Sequence, residues 1–371
     1  MSIPKLISAD SHVVEPPDLW TGRMFEKYGD RAPHQVRTVK GDAWAFPGTA
    51  PFPFGLVQCG GLPPEDYRLW VRWEEVRKET YEPAARLASQ DRSGVRAEVL
   101  FPSPRIAIAI YMNDSDPAYQ IDCIAGYNDW LSEHCAGAPD RLLGLAMVPG
   151  VGLEPAMKEV ERAMKLPGIR GILLNRYPAG GLRLSAGDDP FFQWCARNGV
   201  PVHIHVGLAG SESGMPPQAN DFAGAFTGVY RFYDPPIRMS EMIYTGLLDR
   251  FPDLAIVWAE VDVGWVGYLM EQLDDRIARQ NPAERKALAR NPSDYFRENF
   301  YYTIVKDSYG IRNRDAVGAQ RIMWSSDFPH ATCDYPDFAS AIAKDFKGVP
   351  DDELRLMLAG NAARLYRLDA R

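Results

Sequence analysis

Leu142-Leu143-Gly144-Leu145-Ala146-Met147-Val148 is apolar at all seven positions. A strand with one wet face alternates apolar and polar residues. An unbroken run of this kind therefore needs cover on both faces, as a parallel strand flanked by helices has. Similar runs recur along the chain: Leu6–Ala9, Ala97–Phe101, Gly171–Leu174, Val202–His205, Ile256–Glu260, Phe300–Thr303 and Arg321–Trp324. Helical patterns separate many of them, at Tyr119–Gly137, Glu154–Lys165, Pro190–Asn198 and Pro236–Arg250, with a last helix from about Pro350. Eight strands with helical crossovers predict an α/β fold, a (β/α)8 TIM barrel, with a doubly wound open sheet as the alternative.

Composition narrows the class. With 371 residues and 46% hydrophobic content, the chain has enough apolar material to order itself, which excludes intrinsic disorder. Its 31 glycines and 30 prolines are scattered throughout, which excludes a long coiled coil. No apolar run is long enough to span a bilayer, and the first nine residues are too brief for a signal peptide. Five separated cysteines without a CxxC pair suggest a reduced, cytoplasmic chain. A net charge of −8 argues against nucleic acid as a partner. A homodimer is left open.

Two stretches exceed ordinary barrel loops. Residues 13–90, rich in aromatics between 44 and 73, follow the first strand, and residues 207–235, rich in Gly, Ser and Pro, follow the fifth. Loops that follow strands lie on the catalytic face of a barrel, so both are expected to act as lids on a single domain.

Four of the strands end in metal-ligand chemistry: Asp10-Ser11-His12, His203-Ile204-His205, Glu260, and Asp327-Phe328-Pro329-His330. Four of the six histidines fall in these segments; His34 and His134 read as surface residues. Residues two apart in a strand share a side, so Asp10 with His12, and His203 with His205, can both face the barrel mouth. Imidazole and carboxylate together suit zinc, iron or manganese. Taken singly, each residue is more ordinarily a core, capping or ion-pair group; four such coincidences at one end of a barrel favour a metal centre.

Ala9–Trp20, Arg92–Pro102, Tyr127-Asn128-Asp129-Trp130, Pro139-Asp140-Arg141, Pro201–Val206, Phe251-Pro252-Asp253-Leu254 and Trp324–His330 carry a resemblance over nearly the whole chain. The sequence resembles the amidohydrolase-related TIM barrels, the branch that includes aminocarboxymuconate-semialdehyde decarboxylase and γ-resorcylate decarboxylase. The resemblance implies that Asp10, His12, His205 and Asp327 hold one divalent metal, with His203 at a position usually apolar.

Two departures stand out. The decarboxylases carry a histidine where this chain has Glu260, and they tend to lack one at His330. Asp10, His12, His205, Glu260, Asp327 and His330 would then suit two divalent ions, with Glu260, Asp327 and His330 as the catalytic residues. The alternative is one ion, with Glu260 as a general base and His330 orienting Asp327. The altered site is similar to that of the TIM-barrel non-haem di-iron monooxygenases. The expectation is therefore a di-iron oxygenase using dioxygen on a bulky, largely apolar organic substrate. A zinc or manganese hydrolase of an amide, ester or lactone comes second and a non-oxidative decarboxylase third. A barrel that keeps its metal only for structure is a further class, disfavoured because Asp10 and Asp327 are both present. His203, Arg176, Trp258 and Trp265 are candidate substrate residues, with Arg105, Arg231, Phe222, Phe226, Tyr230, Phe232 and Phe328 as further material around the mouth.

Overall fold

The computed structural model describes residues 4–112, 116–206, 232–283 and 287–368. Ten strands occur among them: β1 Leu6–His12, β2 His34–Arg37, β3 Asp42–Ala45, β4 Val95–Phe101, β5 Leu142–Met147, β6 Ile169–Leu173, β7 Val202–His205, β8 Ile256–Ala259, β9 Phe300–Ile304 and β10 Ile322–Trp324. The sheet runs β1-β4-β5-β6-β7-β8-β9-β10, with every neighbouring pair parallel. Every residue of β5 is buried, as its unbroken apolar run requires.

The two ends of this sheet meet, which decides between barrel and open sheet. The Asp327 N–H donates to the Asp10 carbonyl at 3.0 Å and the His12 N–H to the Phe328 carbonyl at 2.7 Å. The Ser326 N–H reaches the Ser8 hydroxyl at 2.8 Å. Behind this seam lies a buried ion pair, Arg86 Nε to Glu98 Oε2 at 2.6 Å. The same guanidinium donates to the His12 carbonyl and lies over the Phe328 ring, 4.6 Å from its centroid. The fold is a (β/α)8 barrel.

All eight barrel strands fall where the sequence places them, with shifted ends. The β2–β3 hairpin was not anticipated, because its four-residue strands lie inside an aromatic-rich insertion without a long apolar run. The helix expected over Pro236–Arg250 divides into Pro235–Tyr244 and Leu247–Arg250, at Gly246 with φ 72°. His134 is buried against Trp130 and not at the surface; burial, reinforced by the charge of Arg86, lowers its pKa to about 3. All five cysteines are buried and none is in a disulfide. No helix among the described residues is long and apolar enough to cross a membrane.

Part of the 13–90 insertion lies beside the loop that follows β10. The Gly60 N–H donates to the Pro329 carbonyl at 2.7 Å, the Ala331 N–H to the Leu56 carbonyl at 3.1 Å, and the Tyr67 hydroxyl to the Ala331 carbonyl at 2.7 Å. Of the second insertion, residues 207–231 lie outside the described residues.

Candidate metal centre

Alternation along β1 and β7 turns Asp10, His12 and His205 into the barrel, and all three are buried. His12 Nδ1 lies 2.8 Å from the Pro102 carbonyl and His205 Nδ1 lies 2.7 Å from the Val206 carbonyl. A carbonyl only accepts, so each Nδ1 carries the proton and each Nε2 presents its lone pair inward. His12 Nε2 stands 3.5 Å from Asp10 Oδ1 and 3.5 Å from Asp327 Oδ1. His205 Nε2 stands 3.5 Å from Asp10 Oδ2 and 3.7 Å from Glu260 Oε2.

Buried atoms at these separations are too far apart for good hydrogen bonds, yet close enough to share one cation. His12 Nε2 is fully buried with no hydrogen-bond partner, an arrangement that costs stability unless an ion fills it. Asp10, His12 and His205 form one set of donors within 4.8 Å of one another; His12, Asp327 and His330 form a second. Burial, with His330 and His205 nearby, lowers the His12 pKa well below normal and keeps it a neutral donor. Two imidazoles with two carboxylates fit a divalent metal ion.

Two of the carboxylates depend on a left-handed backbone. Glu260 has φ 58° and Asp327 φ 54°, conformations uncommon outside glycine. On β8, Val257 and Ala259 pair with the inward His203 and His205, so Glu260 would point outward if the strand continued. The strand ends at Ala259, and the left-handed turn brings the Glu260 carboxylate back toward His205. Its N–H is held at 2.7 Å by the Thr303 hydroxyl, which itself lies 3.4 Å from Asp10 Oδ2.

Asp327 is gripped more tightly. Its Oδ1 accepts from His330 Nδ1 at 2.6 Å and its Oδ2 from the Thr332 hydroxyl at 2.5 Å. Burial alone would raise its pKa, but His330, His12 and Thr332 override that and hold it below the usual carboxylate range. His330 moves the opposite way: burial lowers it, and Asp327 with Glu260 raises it further.

The structure brings Asp10, His12, His205, Glu260, Asp327 and His330 together, but separates the expected substrate residues. His203 faces the barrel axis with both ring nitrogens occupied, Nδ1 by the Ile172 carbonyl at 3.0 Å and Nε2 by the Tyr366 hydroxyl at 2.7 Å. Gly171 makes room for it, since a Cβ there would lie 2.7 Å from His203 Cε1. This ring is barrel packing and not a substrate contact. Trp258 shares the outer side of the sheet with Phe300, their centroids 5.7 Å apart, and so faces away from the mouth. Phe328 belongs to the seam.

Trp265 and Arg176 do lie on loops that follow β8 and β6. Trp265 meets Phe232 edge-on at 6.1 Å, and the stem of Arg176 packs at Gly150. Arg105 is exposed and borders Gly55 of the insertion. Arg231, Phe222, Phe226 and Tyr230 lie outside the described residues. Sequence reasoning missed Glu15, Ser103, Thr303 and Thr332. Thr303 alone carried a signal, as a polar residue at the end of a barrel strand.

The amidohydrolase family model matches residues 34–368. The chain belongs to the amidohydrolase family. γ-Resorcylate decarboxylase from Rhizobium radiobacter is 26% identical over 86% of this chain and 96% of its own. A crystal structure of an amidohydrolase from Mycobacterium avium subsp. paratuberculosis K-10 matches with a TM-score of 0.76 at 20% identity, covering 99% of each chain. A dihydroxybenzoic acid decarboxylase from Polaromonas sp. JS666, solved with bound manganese and the inhibitor 2-nitroresorcinol, matches with a TM-score of 0.67 at 21% identity, over 100% of this chain and 98% of that one.

These relatives overturn the di-iron monooxygenase expectation. γ-Resorcylate decarboxylases, at 25–26% identity over about 85% of this chain, are carboxy-lyases and not oxidoreductases. Glu260 does not by itself demand a second ion: exchanging one imidazole for a carboxylate leaves Asp10, His12, His205 and Asp327 in place. Iron and dioxygen are not required by that set.

Proposed function

We propose that this protein is a divalent-metal-dependent, non-oxidative decarboxylase of a small hydroxylated aromatic carboxylic acid. The observation that carries this reading is the pair of donor sets sharing His12 (Asp10, His12 and His205; His12, Asp327 and His330), on a chain related along most of its length to γ-resorcylate decarboxylases. Asp10, His12, His205 and Asp327 would hold the ion, manganese or zinc being the natural choices for this mixed set. When bound, it would act as a Lewis acid toward the oxygens of the substrate.

The reaction needs no oxidant. As the ring–carboxylate bond breaks, its electron pair stays on the ring carbon, carbon dioxide leaves, and a proton replaces it. Glu260 is assigned the proton: its side chain is 19% exposed, so it can exchange with water while facing His205. His330 keeps Asp327 charged and oriented by its 2.6 Å bond. This arrangement supports one ion. The second donor set, His12, Asp327 and His330, is what supports two. Trp265 and Arg176 would line the mouth, and the 13–90 insertion would cover it within a single domain.

The test is incubation of the manganese-loaded protein with 2,6-dihydroxybenzoate and related hydroxybenzoates under nitrogen, following carbon dioxide release, with metal analysis alongside. Turnover without oxygen at one ion per chain is expected. Strict dependence on oxygen, or hydrolysis of esters and lactones without decarboxylation, would refute the proposal.

A further inference from the structure

Glu15 is fully buried in the loop after β1, outside the donor cluster. Its Oε1 accepts the Ser103 N–H at 2.9 Å, and its Oε2 accepts the Ser103 hydroxyl. The Ser103 N–H and the Pro102 carbonyl belong to the same peptide unit, and that carbonyl accepts the His12 Nδ1 proton at 2.8 Å. Two hydrogen bonds in series, passing through the Pro102–Ser103 peptide, thus join the buried carboxylate of Glu15 to the candidate metal donor His12.

Burying a carboxylate is unfavourable, so its presence asks for a reason. Helix capping does not supply one. Ser103 already stands at the N-cap of the helix Pro104–Tyr111, where its hydroxyl could bond the first turn; instead that hydroxyl is committed to Glu15. The link to His12 does supply one. A carboxylate accepting an amide N–H polarises the amide and enriches its carbonyl oxygen, because hydrogen bonds in series strengthen one another at low dielectric. The enriched carbonyl grips the Nδ1 proton, fixes the ring and its tautomer, and makes Nε2 a stronger donor.

We propose that Glu15 is a positioning residue of the metal centre, acting through the Pro102–Ser103 peptide on the orientation and basicity of His12. This rests on the reading of His12 as a metal ligand and extends it to a residue that touches neither metal nor substrate.

The experiment compares Mn2+ binding to the metal-stripped parent, Glu15→Gln, Glu15→Asp and Ser103→Ala, on the alkaline side of neutrality, by competition with a chromophoric chelator. Thermal unfolding of each metal-free protein is measured in parallel. Glu15→Gln, which keeps shape and removes charge, is expected to bind Mn2+ about tenfold more weakly, the lower end for supporting residues around metal ligands. Glu15→Asp, which keeps charge and changes shape, is expected to bind more tightly than Glu15→Gln. Ser103→Ala keeps the peptide N–H and is expected to lose less than Glu15→Gln.

A purely structural role gives the reverse order, with Glu15→Gln the better binder. That order, or parental affinity in Glu15→Gln, overturns the inference. Should Glu15→Gln fail to fold, Glu15→Asp against Ser103→Ala still decides: weaker binding by Glu15→Asp than by Ser103→Ala overturns it. A parent that binds no Mn2+ overturns the metal reading beneath it, a distinct outcome.

Discussion

The two walls of the metal centre are built differently. On the β1–β4 side, His12 is held by a peptide that Glu15 anchors, and its own carbonyl is held by Arg86, itself paired with Glu98. On the β7–β8 side, His205 leans on the carbonyl of the next residue, and the Glu260 N–H is held by the Thr303 hydroxyl while its carboxylate reaches a partly open rim. The first wall is braced by residues from three separate segments, whereas the second opens toward water at Glu260. The proposed decarboxylation would need rigid metal donors and a proton donor that can exchange with solvent, and under that reading His12 is the most braced donor and Glu260 the solvent-facing one.

Each wall can be broken separately. His12→Ala removes a donor common to both donor sets, so metal content and decarboxylation should both fall to background while circular dichroism keeps the barrel signature; full metal occupancy would remove His12 from the centre. Glu260→Gln should lower kcat by about 10²–10⁴-fold, the usual share of a general acid or base, and leave metal content and thermal midpoint near parental values. A parallel loss of metal would make Glu260 a ligand instead.

Arg86→Met breaks the first wall from behind. It leaves Glu98 as a buried, uncompensated charge, so denaturant unfolding should show a loss of about 3–5 kcal/mol. Unfolding unchanged by this substitution would mean that the seam does not depend on the ion pair.

The smallest effect lies outside both walls. His134, buried and held neutral, has a pKa of about 3 against 6.5 unfolded. Between those values the unfolded chain binds a proton that the folded one refuses, so this residue's contribution falls as the pH drops from 6.5 toward 3 and is constant above. His134→Leu should move the acid-unfolding midpoint to lower pH without changing turnover at neutral pH. An unchanged acid midpoint would show that other groups govern acid unfolding.

The barrel and the donor cluster were legible in the sequence because each depends on local patterns. Strands buried on both faces must be apolar throughout, as Leu142–Met147 is, and polar donor residues at strand ends interrupt that pattern visibly, as Asp10, His12, His205 and Asp327 do. Glu260 and His330 were legible as residues but not as roles, since one imidazole exchanged for a carboxylate fits several chemistries equally.

Other features were decided only by the tertiary structure. Trp258 sits beside the ligands in sequence but faces outward, because strand register decides its side of the sheet. His203 shares the strand and the side of His205, yet Tyr366, 163 residues away, occupies its nitrogen. Glu15 meets Ser103 across 88 residues, and nothing in either neighbourhood announces the pair. Local pattern determines which residues a strand buries or ends with. Which of them share a hydrogen bond depends on closing the barrel, where register and loop path bring distant segments within 3 Å or so of one another.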